Sequence, residues 1–432
     1  MIPLVRMGKN HVNLEAIRRF NNEYKSLWWE ASIETPEFDA EYEPPRQTGI
    51  EVEMESFIDH TSAEFRKFPA GSKGESPEWG ARLKTKIHSV GVNALGYTDG
   101  NMDLLLGKGF CNATSEFIEG ARRFDPSIKL DDTMQAMRNV WIMNCIQLML
   151  DREVEYTSPL FAYSMLYPYT DNYLDAPGIS PDKKIQTGKK LRLKLEGRSV
   201  EASDIYEGRL FKLVEMIEGY YAREANPEVY QSLLWIHDAQ QNSLLQQKKT
   251  VSPYENDILD LSFEKGGASV LADAFLVKGA LTKEEARFMF GFGIVLQLGD
   301  DLQDALTDSR NGHMTLFSQT AGGWPLDNIT NKLFNFTYSV LESDSCLKAP
   351  VMSELSKIMK RSCTLLLLGA IANNSGLFSK GYLKSIELHS PMSFKYFRSM
   401  FRRVEREYRS LKIKNAGRPI EVYMARALAR GV

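Results

Sequence analysis

The chain is short of several things at once, and each shortage excludes something. Its 432 residues hold only four cysteines, Cys111, Cys145, Cys346 and Cys363, and no two of them form a CxxC pair. Neither a zinc ribbon nor a dithiol redox motif is indicated, and idle thiols are expected. No apolar run approaches the roughly 20 residues a membrane helix needs; the most apolar stretches, Thr364–Ala372 and Phe288–Leu298, are far shorter. The opening MIPLVRMGKNHVNLEAIRRF has no uninterrupted apolar segment of signal-peptide length, so a cytoplasmic chain is expected. Surplus charge is also missing. Lysine and arginine total 53 against 56 acids, a net charge of −3. That balance argues against a general nucleic-acid binder, which needs an excess of basic residues. None of the six histidines has an acid three residues before it, which removes the Glu-x-x-His pairs of a di-iron bundle. Alternating β-branched runs and internal repeats are scarce or absent.

What remains is dominated by helical patterning. Helix-length stretches cover Asp131–Leu150, Ser203–Arg223, Asn226–Lys248, Asp257–Lys278, Lys283–Asp308, Ser353–Ala372 and Ser393–Lys412. Residues 34–56, rich in acids, prolines and turn formers, predict an extended arm or linker, and residues 69–80 predict a loop. The expected organisation is an N-terminal extension over 1–56 and one all-α domain over 57–432. Helices this long in a chain this size suggest a bundle around a central space.

The sharpest feature is GFGIVLQLGDDLQDALTDSRNGHMTL, residues 291–316. Thr282 and Glu285 have the spacing of a capping box, which starts a helix, and Asn311-Gly312 supplies a stop. At about 100° per residue, with Asp300 at the origin, Asp304 falls near ~40°, Gln297 near ~60°, Asp308 near ~80° and Asp301 near ~100°. Five polar groups, four of them carboxylates, share one wedge. Such crowding repels itself, and becomes favourable around a hard dication such as Mg²⁺, which takes carboxylate, water and phosphate oxygens. The apolar residues preceding it, Phe288 to Leu296, direct the helix into a core. A solvated acidic face is the plainer alternative.

A second acidic pair stands in FAYSMLYPYTDNYLDAPG, residues 161–178. Asp171 and Asp175 are i,i+4 on one face, with Tyr167 and Tyr163 continuing it. Pro168 is expected to bend or loosen this helix. Two such helices in one chain allow their carboxylates to face each other across a diphosphate.

These segments resemble the class I isoprenoid synthases, the superfamily of trans-prenyltransferases, squalene and phytoene synthases and class I terpene synthases. LQLGDDLQDALTDSRNGHMTLF (296–317) is similar to the second aspartate-rich motif, DNYLD (171–175) to the first in its DxxxD form, and FEKGGASVL (263–271) to the helix whose lysine precedes the second motif. The likeness spans roughly residues 130–320. It implies an all-α bundle with a central cavity, and three Mg²⁺ held between the acidic helices around a prenyl diphosphate. It implies Asp171 and Asp175 as ligands on one side and Asp300, Asp301 and Asp304 on the other, with Asp308 outside them. It implies Lys265 on the diphosphate, with Gly266-Gly267 letting backbone approach the ligand or packing a neighbouring helix. Arg138, Tyr167 and Gln297 are further candidate substrate contacts. Arg402 and Arg403, in the basic segment SPMSFKYFRSMFRRVEREYRSLKIK, either close over the diphosphate or face an anionic membrane surface. His237, Gln240 and Gln241 line a polar stripe. Asn256, Asp260 and Glu264 echo a metal triad by spacing alone.

The first motif is not DDxxD with paired arginines, and no GGKR-like stretch that would hold isopentenyl diphosphate precedes it. The resemblance therefore implies first a terpene synthase or cyclase that ionises one allylic diphosphate, then head-to-head coupling, and third chain elongation. Its relatives are often homodimers, which makes a homodimer one partner expectation. A non-catalytic helical scaffold is the alternative from another class. The near-neutral charge is itself a cancellation: residues 381–432 hold 12 basic against 4 acidic residues, while the preceding 380 hold 41 against 52.

Overall fold

The structure, a computed structural model, describes residues 12–66, 77–176, 178–247, 255–343 and 346–410. Among them there is no strand. The first third runs α1 (Leu14–Glu30), α2 (Pro44–Arg66), α3 (Pro77–Asn93), α4 (Asp99–Leu105), α5 (Lys108–Phe124) and α6 (Leu130–Met149). The middle runs α7 (Ser158–Asp175), α8 (Pro181–Leu195), α9 (Ile205–Glu218), α10 (Pro227–Ser243), α11 (Ile258–Lys278) and α12 (Lys283–Gln303). The last part runs α13 (Ala305–Asn311), α14 (Leu316–Thr320), α15 (Asp327–Leu341), α16 (Met352–Asn373), α17 (Lys380–Glu387) and α18 (Phe394–Ser410). No helix of the described residues is long and apolar enough to cross a membrane.

Each predicted helix has a counterpart, though α9 ends at Glu218, α10 gives way to a 3-10 turn after Ser243, and Lys248 and residues 411–412 lie outside the described residues. The capping box at Thr282 forms in both directions: Glu285 N donates to Thr282 Oγ1 at 3.2 Å, and Thr282 N donates to Glu285 Oε2 at 2.9 Å. Gly312 takes φ +74°, a left-handed stop that suits glycine. The stretch Lys283–Asp308 is not one helix, however. Asp304 caps α12 with φ −94° and ψ 2°, and α13 begins at the next residue. Pro168 does not interrupt α7, which carries on to Asp175.

The extended arm expected over 34–56 is corrected. Residues 31–43 are irregular, but Pro44 opens α2. The Pro-Pro pair breaks helices in their middle and starts them at their first turn, where the missing N–H costs nothing. The predicted 69–80 loop lies partly outside the described residues, and α3 begins at Pro77.

Residues 12–56 also contribute to the core. Phe20, Tyr24 and Trp28, one stripe of α1, are each about 1% exposed. Trp28 meets Phe336 of α15 edge-on at 5.5 Å and Phe263 of α11 at 6.5 Å. Tyr24 stacks on Phe290 of α12 and donates its hydroxyl to Arg287 O at 2.9 Å. One apolar cluster runs from Val12 to Phe397.

Four helices close a ring. α6 packs on α11, α11 on α12, α12 on α16, and α16 returns to α6, while α7 lies against both α6 and α11. The tightest crossing is α11 on α12, and glycines make it. A Cβ on Gly266 would stand 2.5 Å from Gly293 O, and one on Gly267 would stand 2.5 Å from the Phe290 ring. Gly266-Gly267 therefore serves helix packing, the second of the two roles its sequence allowed.

Candidate functional site

Asp300 near the end of α12 feels the charge of Asp171 near the end of α7; Lys265 of α11 acts on both, and Arg138 of α6 acts on Asp300. Helix C-termini carry partial negative charge, so carboxylates there add to a field already hostile to them. Asp171, in the last turn of α7, is met by Lys265 of α11, with Nζ 3.1 Å from Oδ1. Asp175 is the last residue of α7, and its side chain lies outside the described residues.

Asp300 and Asp304 are exposed, yet burial among surrounding protein atoms pushes both carboxyls upward. For Asp300 the charge of Asp171 adds to the rise, and Lys265 and Arg138 oppose it. Asp304 is pushed up to about 6 by burial and then by Asp300, with Arg138 opposing. Asp308 is pushed up to about 7 by burial and then by Asp301, Asp304 and Asp300. These mutual effects tie Asp171, Lys265, Arg138, Asp300, Asp304 and Asp308 into one electrostatic group. Tyr167, one turn behind Asp171, is part of it. Burial chiefly, and then Asp171, push its hydroxyl upward.

Two expected members have other work. Asp301 is buried, and both its oxygens are engaged: Gln297 Nε2 donates to Oδ1 at 2.8 Å and Ser262 Oγ to Oδ2 at 2.9 Å. Burial pushes its carboxyl up to about 6, with those two bonds opposing the rise. The Ser262 bond ties Asp301 of α12 to α11, and the charge of Asp301 still acts on Asp308. Asp301 lies at the edge of the helical wedge, one step of rotation from the exposed Asp300.

The basic C-terminal segment is also placed elsewhere. Arg403 forms ion pairs with Glu55 and Asp59 of α2. Arg402 is exposed on α18, and no described contact joins it to the α12 carboxylates. The spacing echo at Asn256, Asp260 and Glu264 is structural: Asp260 accepts from Asn21 and Lys25 and so fastens α1 to α11.

A cavity of about 30 Å³ lies behind Tyr167, walled by Tyr163, Thr170, His237 and Gln240 among others. That is about the share of one water molecule. Burial lowers the His237 pKa.

Sequence reasoning missed Asp273. It stands two turns below Lys265 on α11, fully buried between α6 and α7. Asn139 Nδ2 donates to its Oδ1 at 3.0 Å and to Ser164 Oγ at 3.2 Å. Among the described residues its Oδ2 has no partner, and burial pushes its carboxyl well above the usual range. A lone acid inside the apolar run ASVLADAFLV was the only signal.

The raised carboxyls have a consequence that needs no ligand. A carboxyl whose folded pKa exceeds its unfolded value is protonated first in the folded chain, so stability falls as pH rises through the folded pKa. In metal-free buffer at pH 8, an Asp304→Asn/Asp308→Asn variant is expected to melt above the wild type. The gap closes as pH falls to 5, below the folded values of about 6 and 7. Paired thermal melts across that range test this, and a gap independent of pH contradicts it. No protein-family model and no curated protein matches this chain.

Proposed function

We propose that the chain is a Mg²⁺-dependent class I terpene synthase that ionises an allylic prenyl diphosphate, releases diphosphate and rearranges or cyclises the remaining cation, on an isoprenoid synthase-type bundle. The observation that carries this reading is the convergence of two acidic helix ends, α7 and α12, on one lysine. Asp171, Asp300 and Asp304, with Asp308 behind them, offer only hard oxygen donors, which suits Mg²⁺. No three His, Cys, Asp or Glu side chains among the described residues form a ready-made metal cage. Mg²⁺ commonly takes one or two carboxylates and completes its shell with water and phosphate oxygens. When bound, Mg²⁺ would neutralise the charge that builds on the departing diphosphate.

The protein's own groups do the rest. Lys265 neutralises Asp171 in the ligand-free chain, and can pass to the diphosphate once a cation sits beside Asp171. The charge of Arg138 on α6 acts on Asp300 and Asp304, and its guanidinium would hold a second phosphate oxygen. Tyr167, whose hydroxyl feels the charge of Asp171, would offer its ring to the cation, since ring faces stabilise positive charge.

The test is incubation with C10, C15 and C20 allylic diphosphates and Mg²⁺, with and without isopentenyl diphosphate. Product without the co-substrate is expected. Product only with it assigns chain elongation instead, and a dimeric hydrocarbon product assigns head-to-head coupling.

A further inference from the structure

We propose that α18 is a membrane-docking helix that seats this protein on an anionic lipid surface. The proposal is independent of the chemistry above. Phe394, Phe397, Phe401 and Val404 are spaced 3, 4 and 3 apart and form one stripe of the helix. The first half of that stripe is core. Phe394 and Phe397 are 4% and 6% exposed, and Phe397 packs so closely on α16 that a Cβ on Gly369 would stand 3.0 Å from its ring. The second half leaves the core without losing its apolar character: Phe401 and Val404 are 50% and 45% exposed.

Arg402 and Arg406 are exposed beside the uncovered half, and Lys395, exposed near the helix start, shares their face; at about 100° per residue the three fall within roughly 40° of one another and form a basic row. Arg403, on a different face, is held by Glu55 and Asp59 of α2. The helix is thus anchored through α2 and α16 while its bare apolar stripe and basic row look outward.

Charge selects what covers them. Residues 411–432 carry Lys412, Lys414, Arg418, Arg426 and Arg430 against Glu421 alone. That segment would be repelled by the basic row, as would the same face of a second copy. A bilayer with anionic headgroups supplies both requirements, an apolar layer for Phe401 and Val404 and negative charge for the arginines. The same basic tail then adds to the attraction.

Vesicle flotation of the full chain tests this. Vesicles of phosphatidylcholine with about one-third phosphatidylserine should float the protein, pure phosphatidylcholine should not, and added salt should release it. At about fivefold per basic residue, Arg402→Gln with Arg406→Gln should weaken binding about 25-fold. Phe401→Ser with Val404→Ser should weaken it by about tenfold or more. All four positions are exposed, so the thermal midpoints of both variants should stay at the wild-type value. No flotation with either lipid, or equal flotation of wild type and both variants, overturns the proposal. So does a wild-type dimer that Phe401→Ser/Val404→Ser converts to monomer, which would assign the face to a second copy.

Discussion

Asp300→Asn is expected to cut Mg²⁺-dependent diphosphate release by about 100- to 1000-fold, the loss typical when one preorganised electrostatic contact to developing charge is removed. The same substitution should leave the thermal midpoint unchanged or raise it. In the folded chain the Asp300 carboxylate is opposed by burial and by Asp171, so removing its charge relieves repulsion. Asp301→Asn should behave in the opposite way on stability. Asp301 accepts from Gln297 and Ser262 at once, and an amide there presents a donor to one of those donors. Its midpoint should therefore fall, because a buried donor is left without an acceptor. Initial rates of diphosphate release and thermal melts of both variants separate the two roles. Asp300→Asn retaining activity within threefold would remove that residue from the chemistry, and a falling midpoint would give it a structural role.

The second large effect is on folding. Trp28→Ala should destabilise the chain by about 3–5 kcal/mol, the usual cost of emptying a buried aromatic site. Trp28 packs edge-on against both Phe263 and Phe336, which also touch each other, and is about 1% exposed. Denaturant unfolding of the variant measures the loss. A dispensable N-terminal extension predicts a change within about 0.5 kcal/mol, which would contradict the packing of α1 described above. The position has a functional side as well. Phe263 lies two residues before Lys265, so a collapsed Trp28 site also disturbs the turn that carries the lysine.

Much of this was legible from the sequence wherever a local rule had one outcome. The Thr282 capping box and the Gly312 stop are local chemistry, and both formed. The acidic wedge was legible too, because helical geometry puts Asp300 and Asp304 on one stripe whatever surrounds them. Which edge of the wedge faces α11 was not legible. The direction of Asp301 is set by Ser262, 39 residues away, and no periodicity encodes that partner. Pro44-Pro45 misled because proline reads as a breaker until the helix start is known. Gly266-Gly267 allowed two readings because the partner that decides between them, Gly293, sits on another helix. Arg403 was drawn to the diphosphate by its charge, but Glu55 and Asp59 lie on α2, in a stretch mostly expected to be an arm. Asp273 was hidden because its partner Asn139 lies 134 residues away.

The most direct measurement is diphosphate release from an allylic prenyl diphosphate by the wild-type chain, once with Mg²⁺ and once with the metal chelated. The convergence of Asp171, Lys265, Asp300 and Asp304 predicts turnover with Mg²⁺, none after chelation, and none in Asp300→Asn under either condition. A folded wild-type protein that binds no Mg²⁺ and releases no diphosphate from the C10, C15 or C20 substrates would contradict it, and would leave the acidic ends of α7 and α12 as part of a helical scaffold.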